Sequence, residues 1–429
     1  MSSPSPPKIA LKFLRWFCRE DYLDEVEGDL VEIFESQHKK SPYLASIRFM
    51  WTVVRHFRAD YIKSINVPLI NQYMFRSYFT IALRLFIRNR LISFINVSGL
   101  ALALTGTLLI ALFISDELSY DRYHKNADNI YRVTRNFLSS DGSETLHLGL
   151  IAPPFGTLLK NDFPDISEVV RTHKVYDLLK MVEEDGTSES INIDNPFYAE
   201  PSVFEVFDIP ILLGDPTAPL EQQNTALISD AMAQQYFGTL DVIGKPLKLA
   251  DNYLEITGVF EAFPVQSHWH PDLLVAFSTL HDEKIYGRNQ LEHNWGNNDF
   301  STYVLIKDQF NVKNIQAQFL NFLNKHMGTG SVQPSTWTNL FLQPLADIHL
   351  HSHLDHEIET NGNINHVYII GAIGLFLILI ASFNFINLTT AWATTRGKEV
   401  GLRKALGAVR PQLVAQHLSE SILVAFMSF

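Results

Sequence analysis

The chain has 429 residues, 46% of them hydrophobic, a formal net charge of -12 and a mean hydropathy of +0.02. That hydropathy is high for a soluble protein and low for a bundle of spans, so a few membrane helices beside a sizeable soluble part are expected. The acidic balance argues against nucleic acid as a partner, because a phosphate backbone needs a basic face, and the single cysteine, Cys18, rules out an intramolecular disulfide.

Residues 1–7 are Ser/Pro-rich, and the first long apolar run starts only near Leu91. That is too late for a cleaved signal, so the run is expected to stay in the membrane as an anchor. Residues 8–70 read as a small helical domain. Leu23, Val26, Leu30 and Ile33 recur at helical spacing, with Asp24, Glu25, Glu27, Asp29 and Glu32 on the other faces. After the break at Ser41-Pro42, Leu44, Ile47, Trp51, Val54 and Tyr61 start a second stripe beside Arg48, Arg55 and Arg58, and Pro68 ends the unit. A solvated pair of amphipathic helices accounts for most of this; docking through the acidic face is the alternative.

Arg76, Arg84, Arg88 and Arg90 lead into Ile92–Ile114, an apolar run without a charge. At about 1.5 Å per residue, such a helix crosses the hydrocarbon layer. Gly99, Ala103 and Thr107 lie four apart, a stripe of small residues that admits a second helix, although generic packing explains it equally well. Asp116 and Glu117 follow the run, so the positive-inside rule puts the N-terminal domain in the cytoplasm and the next segment outside.

Residues 116–365 mix short strand-like runs, such as 253–260 and 302–306, with helix-like runs, such as 229–237 and 312–326. The pattern predicts an α+β domain with two lobes. Val367–Ala393 is a second span, with Asn384 and Asn387 near its far end. In a membrane such amides usually bond a neighbouring helix rather than a substrate. Arg396, Lys398, Arg403, Lys404 and Arg410 follow, so this end also reads as cytoplasmic. Residues 413–429 form a third apolar run.

The stretch between the last two spans is the most informative. As a helix it puts Arg396, Glu399 and Arg403 on one face, where Glu399 and Arg403 pair at four residues' spacing. Val400, Leu402 and Leu406 cover the other sides. Gly407 suits a left-handed helix end, and Pro411 suits the first turn of the next helix. A short amphipathic helix just inside the membrane can dock on a cytoplasmic partner; an ordinary positive-inside loop is the competing reading.

Residues 396–408 resemble the coupling segment of the MacB/FtsX family of ABC-transporter permeases, a pattern met here by Arg396, Lys398, Glu399, Gly401, Arg403, Lys404 and Gly407. Ser119–Val133 is similar to the start of that family's periplasmic domain. Runs at 204–207, 214–215, 233–238, 243–245 and 257–259 follow in the family's order, and residues 8–65 resemble a cytoplasmic prefix domain found ahead of some members. The resemblance implies a permease subunit of the inner membrane that relays the motion of a separate ABC-type ATPase to its periplasmic domain, in efflux or envelope-related export. It implies a homodimer or a pairing with a second permease half, membrane lipid as surroundings, a periplasmic adaptor and outer-membrane channel in some members, and no cofactor or enzymatic activity in this subunit. Members have at least four spans, so the expectation is that this chain is a truncated copy or a fragment. The expected order is a cytoplasmic helical domain (1–70), basic linker and first span (71–115), periplasmic α+β domain (116–365), second span (366–394), coupling segment (395–411) and the start of a third span (412–429).

Other signals are weaker. Residues 238–245 lack the spacing of a phosphate loop, with Ile243 inside and Pro246 after Lys245. His349, His351 and His353 would share one face of a strand and could hold zinc or copper, yet the run is itself similar to the family's ordinary sequence. His268 and His270 beside Pro271 are a weaker metal candidate. The rivals to a permease are a membrane-anchored sensor, which predicts a cytoplasmic output module after the second span, an anchored hydrolase, which predicts a catalytic constellation outside, and an inert truncated product.

Overall fold

The computed structural model describes residues 6–428 except 19, 39–41, 56–79, 81, 82, 85, 86, 89, 177, 178, 183–187, 192, 194, 250, 251, 308–310, 329 and 396. Tyr61, Arg58, Pro68, Arg76, Arg396 and Phe429 therefore lie outside the described residues. The chain divides into two compact units, Met1–Val97 with Ala391–Ser428, and Ser98–Thr390.

Three helices open the first unit: α1 (Lys8–Phe17), α2 (Glu20–His38) and α3 (Pro42–Arg55). They close on Ala10, Leu14, Phe17, Leu30, Phe34, Phe49 and Val53. The expected stripes are partly displaced. On α2 Leu30 is buried but Ile33 is exposed, and Phe34 enters the core in its place. On α3 the buried positions are Ala45, Phe49 and Val53, four apart, whereas Leu44, Ile47 and Trp51 face out. Counting large apolar residues chose the wrong face, because a small alanine lets α3 approach its neighbours closely.

Among helices of eight residues or more, α4 (Arg90–Glu117) comes next; α5 (Pro154–Asp162), α6 (Asp230–Phe237) and α7 (Val312–Met327) belong to the large domain; α8 (Ile364–Thr395), α9 (Gly397–Ala405) and α10 (Arg410–Ser428) end the chain. Residues 93–117 and 364–391 are long and apolar enough to cross a membrane.

Among its described residues the large domain holds thirteen strands. In chain order these are β1 (Ile130–Leu138), β2 (Glu144–Leu148), β3 (Ile166–Lys174), β4 (Leu179–Val182), β5 (Ser188–Ile191), β6 (Pro196–Ala199), β7 (Ile211–Gly214), β8 (Thr225–Ser229), β9 (Pro246–Leu249), β10 (Asn252–Phe260), β11 (Leu273–Ala276), β12 (Phe300–Ile306) and β13 (Thr338–Pro344). They form one sheet in the order β13-β1-β12-β3-β6-β11-β8-β10-β9-β4-β5, with β2 on β1 and β7 on β10. Only β6/β11 and β8/β10 pair in parallel. The two expected lobes are thus the two halves of a continuous mixed α/β domain.

Local chemistry explains the pieces. Leu254 and Ile256 of β10 point inward while Tyr253 and Glu255 point out, the alternation of a half-buried strand. Helix α6 starts where the Ser229 hydroxyl accepts from the Met232 amide and stops at Gly238, φ +67°. Helices α5 and α7 lay Phe155, Phe163, Phe319 and Phe322 over the half built from β1, β3, β12 and β13. Trp269, fully buried, is ringed by Phe197, Phe207 and Phe263 at centroid distances of 5.3–5.7 Å. It ties the loop before β11 to the core, and its removal would cost about 3–5 kcal/mol.

Candidate functional site

Three segments converge where α4 and α8 join the large domain: the end of α4 with the turn after it, the loop 264–270, and the run from β13 to α8. The arrangement starts with backbone. The Asp121 amide donates to the Gln266 carbonyl at 2.9 Å, and Asp121 sits at φ +58°, a conformation that aspartate tolerates better than most residues. Gln266 returns a bond from Nε2 to Asp116 Oδ1 at 2.6 Å.

Asp121 and His268 are wholly shielded, with Nδ1 of the imidazole 2.9 Å from Asp121 Oδ1. The same oxygen accepts from the His268 amide (3.2 Å) and from the Ser267 hydroxyl (3.3 Å). Nε2 lies 2.7 Å from the Tyr303 hydroxyl of β12. The network closes with Nδ1–H donating to the carboxylate and the tyrosine donating to Nε2, an assignment made from the partners. Burial disfavours the Asp121 anion, but the His268 ring and amide outweigh it and hold the carboxyl below its ordinary pKa. His124 nearby accepts the Asp208 amide at Nδ1 (3.2 Å), and burial pushes it down to about 4, so it is neutral.

A second link ties the end of α4 to the helical turn after β13. Glu117, the last residue of α4, bonds Nε2 of His349 at 2.9 Å, and Tyr120 stacks on the same ring at 3.4 Å. Gly362 passes so close that a Cβ there would sit 2.9 Å from His349 Nε2 and 3.1 Å from Glu117 Oε2. Two further carboxylates lock the run before α8. Glu359 accepts from the His270 amide (2.8 Å) and ring (2.9 Å). Glu357 pairs with the buried Arg132 of β1, which also bonds Gln343 and Ser352. The bond to Glu359 raises the His270 pKa. Burial opposes the Glu359 anion, yet the His270 bonds hold its pKa below the ordinary value.

The histidine run thus departs from the strand geometry expected of it. Pro344 ends β13, and Ile348–His351 forms a helical turn. His349 turns in against Tyr120 and Glu117 while His351 and His353 face out. Among the described residues no group of three His, Cys, Asp or Glu side chains is placed to hold a metal.

The two long helices meet through small residues. A Cβ on Gly99 would lie 3.6 Å from Asn384 Nδ2, on Gly106 3.5 Å from Leu377, on Gly371 3.4 Å from Ile114, and on Gly374 3.1 Å from Ile110. Ala103 is buried, and the buried Thr107 hydroxyl bonds nothing among the described residues. Asn387, one turn beyond Asn384, is exposed.

Helix α9 connects α8 to α10. It ends with the Gly407 amide on the Lys404 carbonyl (3.1 Å) and the Ala408 amide on the Arg403 carbonyl (3.0 Å), with Gly407 at φ +96°. This is a Schellman end, which glycine accommodates without strain. Pro411 is the second residue of α10. Lys398, Gly401 and Lys404 are exposed and Arg403 is half-buried. Leu402 and Leu406 are 63% and 80% exposed, an apolar pair between cations. Glu399 lies within α9, but its side chain is outside the described residues, so its pairing with Arg403 remains an expectation from spacing.

Of the residues singled out from sequence, Gly99 and Asn384 lie beside each other, and Lys398, Gly401, Arg403 and Lys404 lie on α9. Sequence reasoning missed Asp121, Tyr303, His349 as a partner of Glu117, the His270–Glu359 pair, and Gly371 with Gly374. A readable signal existed for the glycines, three apart on one face of an apolar run. For the acidic cluster the signal was its place at a span's end, where carboxylates must find donors.

Comparison with known proteins adds the following. Residues 93–322 match the family model described as MacB-like periplasmic core domain, and residues 371–429 match the FtsX-like permease C-terminal model. The macrolide export ATP-binding/permease protein MacB of Bdellovibrio bacteriovorus is 24% identical over 202 residues, covering 47% of this chain and 28% of that protein. The uncharacterized ABC transporter permease YknZ of Bacillus subtilis is 22% identical over 211 residues, covering 48% of this chain and 47% of the relative. The matches thus span under half the length of either relative. The crystal structure of the periplasmic region of MacB from Actinobacillus actinomycetemcomitans aligns over 52% of this chain and 91% of its own, with 14% identity and a TM-score of 0.35.

Proposed function

Because the chain belongs to the family of ABC-transporter permeases with a MacB-like periplasmic core domain and carries an FtsX-like permease segment, we propose that it relays the motion of a separate ATPase from α9 to that domain. In this reading α1–α3 and α9 are cytoplasmic, α4 and α8 cross the inner membrane, and residues 116–365 are periplasmic. The working unit is a dimer, or this chain with a second permease half. ATP binding and hydrolysis stay in the partner, and the task is efflux or envelope-related export, with an adaptor and an outer-membrane channel as further partners.

The observation that carries the reading is α9. A short helix joins two apolar helices, ends in a defined left-handed turn, and leaves Leu402 and Leu406 in water among Lys398 and Lys404. Exposed leucines ringed by charge mark a protein interface. The junction supports the same reading, because Glu117 and Asp121 fasten the end of α4 to the domain, and Glu357 and Glu359 fasten the run before α8 to it.

The test is co-purification. The tagged full chain, extracted from native membranes in mild detergent, should bring down an ABC-type ATPase. Glu399→Lys should lower that yield with membrane insertion unchanged. An ATPase retained in full by the variant would sink the role of Glu399, and no ATPase with the wild-type chain would overturn the relay itself.

A further inference from the structure

We propose that the N-terminal three-helix unit rests α1 and α3 on an anionic lipid surface, with α2 turned away from it. Helix α1 gives Ala10, Leu14 and Phe17 to the shared core and leaves Ile9, Phe13 and Trp16 outside, 82%, 36% and 70% exposed. Those three lie at i, i+4 and i+7, so they form one stripe. Phe13 and Trp16 stack on each other at 5.9 Å, which keeps the stripe continuous. Helix α3 repeats the pattern. Leu44, Ile47 and Trp51 are 51%, 39% and 72% exposed, outside the face that carries Phe49 and Val53.

Charge decides what covers the stripes. Helix α1 carries Lys8, Lys12 and Arg15 and no acid; Arg15 is paired with Glu27 of α2, Nε to Oε2 at 2.8 Å, so Lys8 and Lys12 are the α1 cations that face a surface; α3 carries Arg48 and Arg55 and no acid. Helix α2 carries eight acidic residues and neither lysine nor arginine. The three helices are therefore split by charge: both exposed tryptophans, Trp16 and Trp51, lie on helices that carry only cations, and all eight acids lie on α2. An apolar stripe with tryptophan and flanking lysines is the composition of a helix lying in the headgroup plane. An anionic leaflet attracts the cations within about a Debye length and repels the acids of α2, which fixes the orientation. The Arg15–Glu27 pair accounts for one charge on each side; a protein partner would explain apolar exposure, but not why the remaining α1 and α3 cations keep to the helices with exposed tryptophans and the remaining acids to α2. The inference does not depend on coupling to an ATPase, since a lipid surface alone suffices.

The experiment uses the full chain in proteoliposomes, with Cys18→Ala as background and a nitroxide on Ile9→Cys or, as control, on the exposed α2 position Glu25→Cys. In phosphatidylcholine vesicles containing phosphatidylglycerol, the label at 9 should collide more with oxygen than with an aqueous nickel chelate, and the label at 25 should show the reverse. Pure phosphatidylcholine, or Lys8→Glu with Lys12→Glu, should move the label at 9 to the aqueous pattern. A second readout keeps the native thiol and core: brominated lipid should quench the fluorescence that Trp16→Phe and Trp51→Phe remove. Equal aqueous access at 9 and 25 in anionic vesicles overturns the proposal, as does shielding that appears only after an ATPase is added. Identical shielding in neutral vesicles also overturns it, because the charge split would then have no part.

Discussion

Truncating Asp121 tests the junction at its most buried point. One carboxylate oxygen receives the His268 ring, the His268 amide and the Ser267 hydroxyl. Ser267 has a second acceptor in the Trp269 carbonyl at 2.9 Å, so Asp121→Ala strands two donors. Hydrogen bonds to a charged group are worth about 1.5–3 kcal/mol each, and a buried donor left without an acceptor costs about 1–3 kcal/mol. Taking ~3 kcal/mol, and a factor of ten per 1.4 kcal/mol, local opening of the loop should become about a hundredfold more frequent. Alanine at φ +58° adds strain; Asp121→Asn tolerates that conformation and removes only the charge, so its effect should be smaller. Hydrogen exchange on the full chain in detergent reads this directly. Amides of 265–270 should exchange about a hundredfold faster in Asp121→Ala, with β3 and β12 unchanged. Wild-type protection of 265–270 in both variants would refute the claim that this network holds the loop.

Three further outcomes follow from the same geometry. Gly374→Leu should push α4 and α8 apart, since even a Cβ would meet Ile110 at 3.1 Å; overpacking costs about 1–3 kcal/mol, so the melting temperature in detergent should fall, whereas Gly401→Ala, in open space, should leave it unchanged. An unaltered melting temperature for Gly374→Leu would remove the glycine seam. For His270 and Glu359, the raised imidazole pKa contributes stability that is complete below the ordinary 6.5 and is lost as pH rises through the raised value; the lowered carboxyl pKa contributes above the ordinary 4.5 and is lost as pH falls through the lowered one. Opening of 265–270, corrected for intrinsic exchange, should therefore increase as pH rises above the ordinary 6.5, and Glu359→Gln should flatten the rise; a flat wild-type profile would count against the pair. Gly407→Val places a branched side chain at φ +96°, which costs about 1–2 kcal/mol. It should fray the end of α9 and lower ATPase co-purification, while retention at the wild-type level would show that the turn is dispensable.

What the sequence revealed was what depends on local repetition. The two long apolar helices, the strands at 253–260 and 302–306, and the helices at 229–237 and 312–326 all read from period and length. Gly407 read from its chemistry, because a glycine after a helix and before a proline has few other uses. The α3 face did not, since Ala45 is less conspicuous than Trp51 and burial went to the residue that fitted. Nor did the histidines. His268 and His349 look like metal ligands in a string of letters, but each found a carboxylate and a tyrosine from segments 35 to 232 positions away. Such partners are set by the sheet order, in which β12 lies between β1 and β3, and no local pattern encodes that.

The proposed relay would also constrain where compliance can lie. Helix α8 has 32 residues and α4 has 28, about 48 and 42 Å at 1.5 Å per residue, so both exceed a hydrocarbon layer of about 30 Å. Neither contains a proline, the commonest cause of a sharp kink. At the junction Glu117 and His349 join the end of one rod to the approach of the other across Gly362, where no side chain fits without moving both. In the proposed relay, displacement arriving along α8 would meet a stiff helix, then a bonded junction, then a sheet. The softer point is the other end, where a single left-handed glycine with nothing within 4 Å joins α9 to α10. A device built to transmit motion to the domain would be expected to place its hinge there, on the side from which the motion enters.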